Sequence, residues 1–326
     1  MKVVFEILLE KGRDNYSGSL ILKSHPSTSL SSYSMPSLGI GALSFSKVVF
    51  RILLLGLFSL FLIGCQSVTS NEPLQMAPSG WLIRPGSPSN YLNGQLRAIL
   101  PDTPGGDGKR LFRKYQAKGQ SWWEPHWALN LDFTGVAWDS AKAGTLIHPQ
   151  YMVFASHFQR RLGEEVIFHD RQGLPVRRKI VSKSIIYRIQ SPDVTVAKLD
   201  SPVPSRITHY PLLPMGHDYR VLNGASLLVT DKERQVHLFR INRVSQQGFE
   251  QIGSRPALEH EFGYAWQERL EKGDSGHPAF LVVKGQLVMV STLKGGGWAS
   301  SGPFFGGVRL QTALIAAIAK LNTEES

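Results

Sequence analysis

Beyond residue 130 the chain is a succession of short apolar runs, some alternating with a period near two and some apolar throughout, each closed by turn-forming residues. Alternation carries one face of a strand into a core, and an unbroken apolar run is what a strand buried on both faces requires. The pattern predicts strands over Gly144–Ile147, Met152–Ala155, Glu165–Phe168, Val194–Leu199, Ser226–Val229, Val236–Val244, Ala279–Val283 and Leu287–Leu293. Only Leu310–Leu321 reads as a helix, with apolar positions on more than one side. Many short strands without long helices between them predict an all-β barrel or sandwich. The turn-rich stretch Asp200–Arg220, with Pro202, Pro204, Pro211 and Pro214, divides the strands into two groups and predicts a bridge between two lobes. The sequence shows no internal repeat.

The front of the chain has a different character. Val48 to Ile63 reads VVFRILLLGLFSLFLI, and its uncharged part, Ile52–Ile63, is too short to span a bilayer but has the proportions of a signal peptide. Directly after it, Leu62-Ile63-Gly64-Cys65 resembles the lipobox of bacterial lipoproteins. That resemblance implies cleavage before Cys65, lipidation of its thiol and a membrane anchor in the bacterial envelope. Gln66, where an Asp would retain such a protein, implies the outer membrane. Residues 1–64 are therefore expected to be a signal region, with 1–34 preceding a better-proportioned start at Met35. Residues 65–90, rich in Ser, Pro, Gly and Asn, are expected to form a lipidated tether, and 91–326 the folded domain. Within that domain the run Trp122-Trp123-Glu124-Pro125-His126-Trp127 reads as an aromatic packing cluster.

Composition narrows the classes further. The 326 residues are 42% hydrophobic with a formal net charge of +11, enough apolar chain for a substantial core. The basic residues are scattered, and the densest cluster, Arg177-Arg178-Lys179, is too short to make a nucleic-acid interface, so no nucleic-acid partner is expected. With Cys65 the only cysteine, the body of the protein must fold without disulfides.

The candidate chemistry begins at Gly273-Asp274-Ser275-Gly276. In isolation an Asp-Ser-Gly is an ordinary β-turn. A serine hydroxyl attacks a carbonyl usefully when it stands on a sharp turn with backbone N–H groups aimed where the oxyanion forms, and Gly273 and Ser275 can supply that pair. The segment from Gly144-Thr145-Leu146-Ile147 to Ala155-Ser156-His157 resembles the one that carries the general base of trypsin-like peptidases. Asp193-Val194-Thr195-Val196-Ala197-Lys198-Leu199 is similar to that family's Asp-Ile-Ala-Leu-Leu-Lys-Leu. Val288-Met289-Val290-Ser291 resembles its apolar strand ending in a cleft-lining serine, and Gly295-Gly296-Gly297 the glycine-rich wall of its specificity pocket.

The order His, Asp, Ser identifies the chain as resembling the trypsin-like serine peptidases. That resemblance implies two packed antiparallel β-barrels of the chymotrypsin type, over residues 130–205 and 215–309, with a C-terminal helix over 310–321. It implies a serine endopeptidase acting on a polypeptide substrate through His157, Asp193 and Ser275, with Gly273 and Ser275 as oxyanion hole. Ser291, Gly295 and Gly296 would bind substrate, and counting back from Ser275 puts Arg269 near the pocket floor. No cofactor or metal is required. A catalytically silent binding lipoprotein and a serine esterase are the competing readings.

The sequence departs from the family at Ser156, Phe158 and His277, none of which removes a reacting group. The family's activating N-terminus, Ile-Val-Gly-Gly, does not occur, so Asp274 needs partners other than a freed ammonium, and activity without a second cut, near Thr134-Gly135, is expected.

Overall fold

The computed structural model describes residues 73–82, 87–100, 109–125, 130–186, 193–245, 251–256, 269–294, 297 and 299–323. The expectations for residues 1–64 and for Cys65 lie outside them. Among the described residues no helix is long and apolar enough to cross a membrane.

A short helix, α1 (Pro88–Arg97), and a two-stranded ribbon, β1 (Phe112–Lys114) with β2 (Trp122–Trp123), precede the main architecture. The first sheet contains β3 (Val136–Ala137), β4 (Gly144–His148), β5 (Tyr151–Phe154), β6 (Glu165–His169), β7 (Pro175–Ile186) and β8 (Val194–Leu199). The second contains β9 (Ser226–Thr230), β10 (Val236–Ser245), β11 (Gln251–Pro256), β12 (Pro278–Val283), β13 (Gln286–Thr292) and β14 (Ser300–Pro303), and α2 (Val308–Thr323) closes the chain.

Every pairing within these sheets is antiparallel. The first sheet runs β3-β4-β5-β8-β7-β6 and the second β13-β12-β9-β10-β11-β14. Each curls until its end strands meet, β3 beside β6 and β13 beside β14. Read around the closed barrel, both sheets have one circular order of their own strands: first, second, third, sixth, fifth, fourth. The chain is thus all-β, with two six-stranded barrels of the chymotrypsin type and a C-terminal helix. The two halves repeat a topology that their residues do not repeat.

Burial explains the unbroken apolar runs. Met152, Phe154, Ala197 and Leu199 point into the first barrel with Leu146, Val166 and Phe168. Their neighbours Tyr151, Val153, Val194 and Val196 point outward into a seam that also receives Leu228, Phe280 and Val282 from the second barrel. Leu227, Val229, Leu281 and Val283 fill the second barrel itself. Successive side chains of a strand face opposite ways, so a strand between a barrel interior and a seam must be apolar on both sides. Helix α2 buries one stripe, Leu310, Leu314, Ala317 and Leu321, and leaves Val308 and Ile315 exposed. It lies on β7 and β8, crossing back to the first barrel.

Two expectations need correction, for the tether and for the aromatic run. The tether does not extend to residue 90: Ala77 and Trp81 are buried, the Ala77 N–H donates to the Leu212 carbonyl at 2.8 Å, and α1 begins at Pro88. The apolar gain of burying a tryptophan outweighs the turn-prone composition around it. The basic cluster Arg177-Arg178-Lys179 lies in the middle of β7, with Arg177 and Lys179 exposed and Val176 and Ile180 facing the core. The aromatic run splits: Trp123 stacks on Phe112 at 4.1 Å and donates to the Asp170 carbonyl at 2.7 Å, whereas Trp122 is exposed beneath the Lys114 ammonium.

Candidate functional site

Strand pairing brings His157 and Asp193 together. β5 and β8 are antiparallel neighbours in register Phe154↔Thr195, so the exit of one strand lies beside the entrance of the other. His157 sits just past that exit, on a single 3-10 turn over Ser156–Phe158, and Asp193 just before that entrance. Asp193 Oδ1 accepts the His157 backbone N–H at 2.9 Å and Oδ2 faces the His157 Nδ1. The Asp193 carbonyl accepts the Ser156 N–H at 3.2 Å, and the Ser156 and Thr195 hydroxyls bond to each other at 3.0 Å. The carboxylate is nearly buried, while the imidazole is about half exposed. Asp193 therefore fixes both the backbone and the ring of His157, leaving Nε2 toward solvent.

The turn bearing Ser275 lies just ahead of β12 in the second barrel. Two overlapping turns shape it: the Asp274 N–H donates to the Glu271 carbonyl, and the His277 N–H to the Asp274 carbonyl, both at 3.2 Å. Gly273 and Gly276 take φ of +107° and +89°, which glycine alone adopts without strain. Beyond the turn, the Gly276 N–H donates to the Leu293 carbonyl at 2.7 Å and the Leu293 N–H to the His277 carbonyl at 2.9 Å, extending the β12–β13 ladder. Among the described residues, no acceptor takes the N–H of Gly273 or of Ser275. Two unengaged donors flanking a serine are what an oxyanion site requires.

The two halves meet at Gly276. A Cβ built there would stand 3.2 Å from the Ala155 nitrogen and 3.5 Å from the Ala143 carbonyl oxygen. The loop carrying Ala143 is clamped by Arg160, a fully buried guanidinium that bonds Asp139 at 2.8 and 3.1 Å and the Lys142 carbonyl at 2.7 Å. Lys142 in turn places its ammonium 5.6 Å from the Phe158 ring. Residues on both sides of His157 are thus tied to the wall on which the serine turn rests.

Asp274 is 3% exposed and has found its partners in the main chain: Oδ2 accepts the Glu271 N–H at 2.5 Å and Oδ1 the Lys232 N–H at 3.2 Å. Burial still raises its carboxyl above the usual range. Nearby, burial pushes Asp231 up, but the His237 hydrogen bond at 2.7 Å and the His237 charge outweigh it and leave the carboxyl lowered. His277 turns its ring into the wall between the barrels, 6.1 Å from Trp138 and within 3.5 Å of the Thr230 hydroxyl, where burial lowers its pKa to about 4. The departure from the family at this position is accordingly a packing residue, neutral at pH 7.

The remaining expected residues are placed less closely. Ser291 is buried opposite Ala279, with its hydroxyl on the Thr292 carbonyl at 3.1 Å. The residue bordering Ser275 is instead Lys294, three positions on, whose carbonyl accepts the Ser275 hydroxyl at 3.5 Å. The motif did not point to Lys294; only the β12–β13 register does. Arg269 is exposed, and with Lys232 its charge lowers the Glu271 carboxyl, the Lys232 hydrogen bond contributing most. Gly295 and Gly296 lie outside the described residues. Among those described, no group of His, Cys, Asp and Glu side chains is arranged to hold a metal.

No family model and no curated protein matches this chain. Among solved structures it is similar to human heparin binding protein, at 16% identity and a TM-score of 0.39 over 52% of this chain and 83% of that one. A second structure of that protein, at atomic resolution, gives 14% identity and 0.40 over 53% and 85%, and a double mutant of it 15% and 0.42 over 58% and 92%. These likenesses are too distant to bear on what the chain does.

Proposed function

We propose that this protein is a serine endopeptidase in which Ser275 attacks the peptide carbonyl, His157 takes its proton and Asp193 holds the imidazole. The observation that carries the reading is the double hold of Asp193 on His157. A carboxylate on Nδ1 fixes the tautomer whose Nε2 can accept a proton, and it stabilises the imidazolium that results. The unengaged N–H groups of Gly273 and Ser275 support the same reading. They would stabilise the tetrahedral oxyanion before an acyl-enzyme forms and water releases it.

One observation favours a silent binding protein: the Ser275 hydroxyl donates to the Lys294 carbonyl, not to His157. A substrate that displaces this 3.5 Å contact would free the hydroxyl to turn. Covalent labelling by a fluorophosphonate, lost in Ser275→Ala, separates the hydrolase from the silent protein. Digestion of a peptide library read by mass separates peptidase from esterase. Folded protein that neither labels nor cleaves sinks the proposal.

The sequence of residues 48–65 supports a location at the bacterial envelope, which metabolic labelling with a radioactive fatty acid tests directly. Incorporation that Cys65→Ser abolishes is the expected result.

A further inference from the structure

The hairpin joining β9 to β10 turns over Asp231–Gln235. Its base is fixed by Asp231, whose carbonyl accepts the Arg234 N–H at 3.2 Å and whose carboxylate accepts the Gln235 N–H at 2.8 Å and bonds His237 Nε2 at 2.7 Å. From this base Lys232 reaches the segment that leads into the serine turn. Its N–H donates to Asp274, and its Nζ donates to Glu271 Oε2 at 2.9 Å and to the Lys272 carbonyl at 3.1 Å. Its stem passes under Gly273, where an added Cβ would stand 3.1 Å from Lys232 Cδ.

The Lys272 carbonyl and the Gly273 N–H belong to one planar trans peptide and point in opposite directions. Whatever holds the carbonyl on one side therefore aims the N–H to the other. Glycine at Gly273 offers little resistance to turning that plane over, so an added constraint is needed. We propose that Lys232 is a positioning residue for the oxyanion hole: its ammonium holds the Lys272 carbonyl and so directs the Gly273 N–H away from the hairpin. The use made of that N–H rests on the peptidase reading; the hold on the peptide does not.

Lys232→Met keeps the stem and the backbone N–H but removes the Nζ donors, while Lys232→Arg keeps a cation. On a cleaved peptide, Lys232→Met is expected to lower kcat about 10- to 100-fold, with KM changed by no more than about 2-fold, because an oxyanion donor acts mainly in the transition state. Lys232→Arg is expected to recover most of the loss, and a merely structural role would not divide kcat from KM in this way. Unchanged kcat in Lys232→Met overturns the proposal. If the wild-type protein cleaves nothing, the peptidase reading has failed separately, and crystal structures of wild type and Lys232→Met then decide. A turned Lys272–Gly273 peptide in the variant supports the role of Lys232; an unturned one overturns it.

Discussion

Gly276, one residue past Ser275, rests against the backbone nitrogen of Ala155, two residues before His157. This contact joins the barrels where the candidate chemistry lies, and a side chain there would press on main chain at 3.2 Å. Gly276→Ala combines a strained φ with a methyl group pressed on main chain, which does not yield as a flexible side chain would. We expect peptide turnover and fluorophosphonate labelling to fall by at least about 10-fold, a separation of groups that must meet closely. Full labelling in the variant would mean that this contact does not set the distance between Ser275 and His157.

Asp193→Asn should preserve the shape of the His157 turn while presenting an amide to Nδ1, which favours the wrong tautomer. A loss of about four orders of magnitude in kcat is expected, with substrate binding little affected. Steady-state kinetics on one peptide are sufficient to check it.

The intact domain should be active without a cut near Thr134-Gly135. Asp274 already receives two main-chain N–H groups. Thr134 is buried, with its hydroxyl on Asp132 at 2.5 Å and accepting the Thr208 N–H at 3.0 Å, so this bond is not offered to a protease. Intact-mass analysis of active protein should find the bond whole; activity that appears only after cleavage there would contradict this.

Stability should fall on acidification through a window set by His277. An unfolded histidine takes a proton near pH 6.5, but the buried ring resists until about 4. Between those values the unfolded chain binds more protons at this residue, so the His277 share of stability declines as pH falls, by about 3 kcal/mol. Urea unfolding of wild type and His277→Gln across this range measures it, and the slope should flatten in the variant. A slope unchanged by the substitution would assign the effect to other groups.

Much of the fold is legible in the sequence. His157, Asp193 and Ser275 stood in recognisable company, and eight strands and the last helix followed from apolar runs. β7 was missed because Arg177 and Lys179 on its exposed side mask Val176 and Ile180 on the other. β11 and β14, written QIGSRP and SSGP, carry little apolar signal and are held by their neighbours' registers. For α1 a signal did exist, Ser87 before Pro88 with Leu92 and Leu96 four apart, but the composition around it suggested a tether. Lys232 could not be found from motif at all, since it acts across 39 residues through backbone and stem as much as through charge.

The seam in which Leu228 and Phe280 meet Ile147, Val153 and Val196 has a thermodynamic consequence. Neither barrel can open without presenting an apolar outer wall of its partner to water, and α2, which follows the second barrel in sequence, is spent covering the first. The halves should therefore melt together in one transition, and the contact of Gly276 with Ala155 should vanish with it instead of fading beforehand.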